Sequence, residues 1–269
     1  MYKPIWINDT GWEIGYLFPN KRKQVKLIVN SIVNDFKPVD LNLFWATEPD
    51  EAVPGVHKYI INNWPKYDYV ISCFDDILTQ CPNARKLVYY SPWITEDWAL
   101  KEKQFKLSFL CGWKNWTTGH KLRHVVFNNQ GKLTIPKQFF MAIPVNQKIR
   151  FLALFENTQY NLCIENVSQN NFFTEKLIDC FLTKTIPVYW GCPNIGEYFD
   201  VNGIILFGEE KDFYSMLNNL TPDYYNQHLD SVESNYNKIK QMVSDIGEAG
   251  YKLIDRKIDE LLEEKFGHS

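Results

Sequence analysis

Residues 160–200 read YNLCIENVSQNNFFTEKLIDCFLTKTIPVYWGCPNIGEYFD, and the order of elements in this stretch decides the fold. Tyr160 to Ile164 is short, apolar and rich in β-formers, so it predicts a buried strand. Glu165 to Asn171 is polar turn material. Phe173 to Lys184 places Leu177, Phe181 and Leu182 at helical spacing. Thr185 to Trp190 predicts a second buried strand, stopped by Gly191 and Pro193. The whole is one β-loop-α-β unit. Asn170 and Asn171 are natural N-caps, and Glu175 suits the positive end of the helix dipole. Lys176 does not. A bound anion would explain it, because free backbone N–H groups, the dipole and the ammonium would converge on one phosphate. A solvated lysine whose stem covers apolar surface would explain it as well.

Working outward, the same alternation recurs. Upstream, Gln104 to Cys111 predicts a strand, Gly112 to Gly119 a loop, and His120 to Asn128 a helix that carries Arg123. Lys132 to Asn146 reads as irregular and Ile149 to Asn157 as a short helix. Nearer the N-terminus, Pro4 to Ile7 predicts a strand, followed by an irregular loop with Trp12, Tyr16 and Phe18. Lys21 to Asp35 fits a helix with Val25, Ile28, Val29, Ile32 and Val33 as its apolar stripe. Leu41 to Ala46 predicts a strand running into Thr47-Glu48-Pro49-Asp50, the position where open α/β sheets bind ligands. Val56 to Asn62 predicts a helix. Tyr67 to Cys73 and Lys86 to Tyr90 predict strands, with Asp75-Asp76 in a solvated turn between them. Downstream lie a strand at Gly203 to Phe207, a helix at Asp212 to Leu220, and a helical segment from Asp223 to Phe266 broken near Gly247 and Gly250. In that segment Ile254, Ile258, Leu261 and Leu262 share a face.

Strands alternating with helices predict parallel α/β sheets. The composition turns charged near Glu96 to Lys103, which places a boundary there. Residues 1–102 then form an N-terminal α/β domain, and residues 103–269 a C-terminal α/β domain with the C-terminal helices. Two Rossmann-like halves across a cleft suit the joining of a nucleotide-bearing donor to a second substrate.

Composition narrows the class. The chain has 269 residues, 45% of them hydrophobic, which is ample for a buried core. Its net charge of −3 provides no basic field to favour nucleic acid or an anionic membrane. No apolar run approaches the roughly 20 residues of a transmembrane helix, and the N-terminus lacks a signal-peptide pattern. A cytoplasmic location is therefore expected. The six cysteines form no CxxC pair and read as reduced core thiols. His120 and His124 sit at i, i+4 without an evident third ligand. Trp93, Trp98, Trp113 and Trp116 read mainly as packing, with room for one or two to stack on a sugar.

The central unit resembles the donor-binding signature of the α1,3/1,4-fucosyltransferases, glycosyltransferase family ten. The residues that carry the resemblance are Ile164-Glu165-Asn166, then Phe172-Phe173-Thr174-Glu175-Lys176, then Ile186-Pro187-Val188-Tyr189-Trp190-Gly191. The interval from Glu165 to Lys176 is the family's. Two positions depart from it: Val167 replaces the family's serine, with Ser168 one place later, and Phe172 replaces a tyrosine. The resemblance implies a GT-B architecture, a soluble bacterial- or viral-type enzyme, GDP-fucose as donor, a glycan hydroxyl as acceptor, inversion at the anomeric carbon, and no essential metal or bound cofactor. It implies that Glu175 contacts the donor ribose, that Lys176 and Arg123 contact the diphosphate, and that Glu165, Asn166, Phe172 and Thr174 belong to the donor site. Glu48 matches the family's proposed base. A transferase using another nucleotide sugar, and a non-catalytic glycan- or nucleotide-binding module, are the alternatives.

Overall fold

The computed structural model describes residues 3–8, 11–18, 23–94, 102–142, 154–208, 210–246 and 251–267. The chain divides into two compact units. The first comprises residues 1–89, 170–172 and 251–269, and the second residues 90–169 and 173–250.

The first unit is built on a six-stranded sheet in the order β1 (Lys3–Asn8), β2 (Gly11–Phe18), β3 (Lys23–Val29), β4 (Leu41–Ala46), β5 (Tyr69–Ser72) and β6 (Ala84–Lys86). β1, β2 and β3 pair antiparallel, whereas β3 to β6 run parallel. Helices α1 (Val56–Asn63) and α2 (Asp75–Gln80) connect the parallel strands. Two sequence expectations fail here. Residues 11–18 form β2 rather than an irregular loop; the alternation Trp12, Ile14, Tyr16, Phe18 was the strand signal. Residues 23–29 form β3 rather than a helix. Val25, Leu27, Ile28 and Val29 are all buried, so the run is apolar on both faces, as a central strand requires. Asn30, at φ 48°, then ends the strand. The expected strand at Lys86 to Tyr90 lies a few residues earlier, as β6.

The second unit holds a five-stranded, wholly parallel sheet in the order β11-β10-β9-β7-β8. Its strands are β7 (Gln104–Gly112), β8 (Lys137–Ala142), β9 (Thr158–Ile164), β10 (Ile186–Trp190) and β11 (Ile205–Leu206). Its helices are α3 (Thr118–Asn128), α4 (Glu175–Leu182), α5 (Glu210–Asn218), α6 (Pro222–Gln227) and α7 (Leu229–Ile246). The opening stretch folds as expected: β9 and β10 pair in parallel with α4 between them. β8 was read as irregular, because Pro136 in front of it suggested a loop. The expected helix at Ile149 to Asn157 lies mostly outside the described residues.

The last helix, α8 (Tyr251–Phe266), corrects the domain division. Ile254, Ile258, Leu261 and Leu262 form one face, as their spacing predicts, but that face packs on the first sheet, against Val25, Leu27, Leu43, Trp45 and Ile71. The helix therefore belongs to the first unit rather than to residues 103–269. Periodicity identifies a buried face without saying what buries it. Among the described residues, no helix is long and apolar enough to cross a membrane, and all six cysteines are buried and free.

Candidate functional site

The strand order of the second sheet points to a site before any side chain is considered. From β7 the chain moves outward to β8 on one side; from β9 it moves to β10 and β11 on the other. The reversal falls between β7 and β9, and ligands of open α/β sheets bind beyond the carboxyl ends of the strands at such a point. β7 ends at Gly112 and β9 at Ile164, so the loops that follow, and the helices they start, are where chemistry is expected.

Glu165, the first residue past β9, is fully buried. Its carboxylate accepts the Thr174 N–H at Oε1 and the Thr174 hydroxyl at Oε2, both at 2.8 Å. The space for it is left by two glycines. A Cβ at Gly119 would fall 1.8 Å from the Glu165 carbonyl oxygen, and one at Gly191 would fall 2.6 Å from its Cγ. That gives the glycine ending the Tyr189-Trp190-Gly191 motif a steric reason. Burial pushes the Glu165 carboxyl up; Lys176 and the Thr174 hydrogen bonds oppose this without cancelling it.

Thr174 is the N-cap of α4, not Asn170 or Asn171. Its hydroxyl oxygen also receives the Lys176 ammonium at 2.9 Å. The ammonium reaches Glu175 Oε1 at 2.9 Å and Glu165 Oε2 at 3.6 Å. Two carboxylates and a cation thus meet at the positive end of a helix. Burial disfavours charge on both Glu175 and Lys176. Their mutual attraction prevails, so Glu175 stays below the ordinary carboxylate value and Lys176 above the ordinary lysine value.

Arg123 lies on α3 and is almost fully buried. Its Nε and Nη2 donate to the Ile164 carbonyl at 2.9 and 2.6 Å, and Nη2 donates to Asn166 Oδ1 at 2.9 Å. Nη1 is the remaining nitrogen. α3 itself begins against the end of β9, where the Gly119 N–H donates to the Asn166 carbonyl at 2.9 Å. Its first turn is closed by a reciprocal Thr117 and His120 capping box. The Thr117 N–H donates to His120 Nδ1, so the ring proton sits on Nε2. Burial, with Arg123 and Lys114 nearby, pulls His120 down to about 4 and keeps it neutral. Ser168, the displaced serine, donates its hydroxyl to the Gly191 carbonyl at 2.8 Å and closes the loop after β9.

Arg123, Glu165, Asn166, Thr174, Glu175 and Lys176 are therefore brought together at the switch point. Phe172 belongs to the first unit, where its ring lies against Phe74 with centroids 5.6 Å apart. Glu48 also belongs to the first unit, two residues past β4 and half-buried. Asp75 and Asp76, expected in a solvated turn, open α2, and Asp76 pairs with buried His57 at 2.9 Å. Asp179 escaped the sequence reading. It is fully buried on α4, and its Oδ1 accepts the N–H groups of Trp93 and Ile94 at 3.0 and 3.2 Å. Its Oδ2 has no hydrogen-bond partner among the described residues, and burial pushes its pKa up to about 8. A single Asp on an apolar helix gave no pattern by which to find it. Trp113 and Trp116 stand exposed on the loop after β7, 5.8 Å apart, with Trp116 edge-on to His120. Among the described residues, no group of His, Cys, Asp and Glu is placed to hold a metal ion.

No protein-family model matches the chain. The α-(1,3)-fucosyltransferase FucT of Helicobacter pylori is 35% identical over 69 residues, which cover 26% of this chain and 14% of that protein. The chain thus matches only a small part of that relative's length, and the resemblance to the fucosyltransferases is borne out as a partial match. Among solved structures, Anabaena HepE in complex with UDP and glucose superposes with a TM-score of 0.52 at 11% identity, covering 83% of this chain and 72% of that one. An α1,3-fucosyltransferase solved with GDP superposes with a TM-score of 0.46 at 15% identity, covering 76% and 74%. The fold is α/β and of the GT-B type.

Proposed function

We propose that this chain, fucosyltransferase-like at its centre and GT-B-like in fold, moves fucose from GDP-fucose to a hydroxyl of a glycan acceptor with inversion. The observation that carries the reading is the cluster of Glu165, Thr174, Glu175 and Lys176 at the N-terminus of α4, with Lys176 2.9 Å from Glu175 and 3.6 Å from Glu165.

In this reading the roles divide by exposure. Glu165 is buried too deeply to meet a ligand and acts as a brace: it holds the Thr174 cap, and through it the start of α4, against the end of β9. Asn166 and Arg123 lock the same junction from the α3 side. Glu175 and Lys176, partly exposed, meet the donor. The ribose hydroxyls donate to Glu175, which loosens its hold on Lys176, and the ammonium turns to the diphosphate. As the bond from fucose C1 to the diphosphate oxygen breaks, charge grows on the leaving group. Lys176, the α4 N-terminus and Nη1 of Arg123 stabilise that charge, which is worth most in a site shielded from water. Glu48 takes the acceptor proton as the hydroxyl attacks the opposite face of C1. No step requires a metal or a resident cofactor.

A screen of GDP, UDP and CMP by thermal shift, followed by a search for sugar transfer, tests the reading. GDP alone should raise the melting temperature, and Lys176→Met should abolish the rise. A rise with UDP alone would favour a transferase of another nucleotide sugar, and binding of GDP with no turnover of any GDP-sugar would favour a binding module.

A further inference from the structure

The loop that carries Glu48 is held by a device that the reaction scheme leaves unused. His57, on α1, is only 3% exposed. Its Nδ1 lies 2.9 Å from Asp76 Oδ2, and its Nε2 lies 3.0 Å from the carbonyl oxygen of Glu48. A carbonyl oxygen only accepts, so Nε2 bears a hydrogen. An ionised carboxylate only accepts too, so Nδ1 bears one as well. An imidazole protonated at both nitrogens is a cation.

From the other side Asn30, in the left-handed region, completes the grip. Its Oδ1 accepts the N–H groups of Thr47 and Glu48 at 2.9 and 3.3 Å, and its Nδ2 donates to the Thr47 hydroxyl oxygen at 2.7 Å. The N–H of Glu48 is thus fixed by Asn30 and its C=O by His57. With both ends of the residue pinned, the direction of its Cα–Cβ bond is set.

We infer that His57 is a positioning residue: as an imidazolium bridging Asp76 and the Glu48 peptide, it fixes where the Glu48 carboxylate stands for acceptor deprotonation. The inference rests on the reading of Glu48 as the base. The groups facing the ring are Asp76 from α2, Asp50 from the loop before α1, the Glu48 carbonyl, and the Phe74 ring at 4.7 Å. Asp50 Oδ1 also accepts the backbone N–H of His57 at 3.2 Å. Burial disfavours the charged ring, but Asp76, the Glu48 carbonyl and Asp50 outweigh it and hold His57 above 6.5. Burial likewise opposes charge on Asp76, and His57 outweighs it, keeping that carboxyl below 3.8. For a histidine raised in the folded state, the stabilisation is complete below the unfolded value near 6.5 and disappears as pH rises through the folded value. The clamp is therefore intact below the unfolded value near 6.5 and opens as pH rises through the folded value above it.

The test is nitrogen-15 NMR of the imidazole rings in the full chain, read beside the pH dependence of kcat. His57 should show two protonated nitrogens at pH 6.5 and a midpoint above that value. Asp76→Asn should lower the midpoint, and the alkaline limb of kcat should move by the same amount, with KM for the donor changing less than about twofold. His57→Gln should lose about tenfold in kcat and lose the limb, while GDP affinity stays unchanged. A neutral, singly protonated His57 at pH 6 would overturn the clamp. A ring midpoint that moves in Asp76→Asn while the kcat profile stays still would overturn the positioning role. A chain that turns over no GDP-fucose would remove the base reading and the positioning role with it, while the ring signals would still report whether the clamp exists.

Discussion

Glu48 and Glu165 each stand just past the end of a strand in a parallel pair, and their settings are opposite. Glu165 is fully buried; its carboxylate is spent on the Thr174 N–H and hydroxyl, with a lysine at 3.6 Å. Glu48 is half-buried, and its backbone N–H and C=O are bonded by Asn30 and His57. A carboxylate at a strand end is thus a brace where it is sealed from solvent, and a candidate reagent where solvent and a ligand can reach it. The residue type and its place after a strand are the same in both cases. Burial separates them.

The contrast breaks most directly at Glu48. Glu48→Gln should lower kcat by about 10² to 10⁴, the usual contribution of a general base, and leave the Kd for GDP unchanged. Normal turnover in that variant would remove the distinction between the two carboxylates. At the other pole, Lys176→Met removes a charged hydrogen-bond donor, so GDP should bind about tenfold to a hundredfold more weakly by calorimetry. Unaltered GDP affinity would leave Lys176 as an internal counter-ion of Glu165 and Glu175.

The brace can be probed without a ligand. Gly119→Ala puts a methyl group 1.8 Å from the Glu165 carbonyl oxygen, a backbone atom that cannot step aside cheaply. It should cost about 1–3 kcal/mol or more, read as a lower melting temperature; an unchanged one would mean that α3 and the end of β9 are loosely joined. Asp179 supplies the effect with the sharpest pH signature. Its carboxyl, raised to about 8 by burial, is neutral in the folded chain at pH 7 but ionised in the unfolded one. Stability from this group falls as pH rises between its unfolded value and about 8. Asp179→Asn keeps the acceptor for Trp93 and Ile94 without the titration, so its stability relative to the natural chain should grow with pH across that window. A pH-independent difference in denaturation midpoints would contradict the assignment.

Much of the second unit was legible in the sequence because its signals are local. Tyr160 to Ile164 and Ile186 to Trp190 are short apolar runs, fully buried strands show that pattern, and the helix between them is amphipathic. Lys176 announced itself by standing where the dipole disfavours it. What stayed hidden was set by tertiary context. Residues 23–29 are apolar at positions that fit a helix as well as a buried strand, and only pairing with β2 and β4 decides between them. The apolar face of α8 was plain, but its partner sheet is built from the other end of the chain. His57 and Asp76 looked unremarkable because, 19 positions apart in the chain, they meet only after α1 and α2 have folded. Phe172 was drawn into the donor site by its place in the motif, and the fold turns its ring toward Phe74.

The central claim is that the cluster at the start of α4 holds a GDP-sugar for transfer. The most direct measurement is to incubate the chain with GDP-fucose, GDP-mannose or UDP-glucose and a panel of galactoside and N-acetylglucosaminide acceptors, and to detect products by mass spectrometry. The account predicts a fucosylated acceptor and released GDP from GDP-fucose, lost in Glu48→Gln and weakened in Lys176→Met. Transfer from UDP-glucose alone, or GDP binding with no product from any donor, would contradict it.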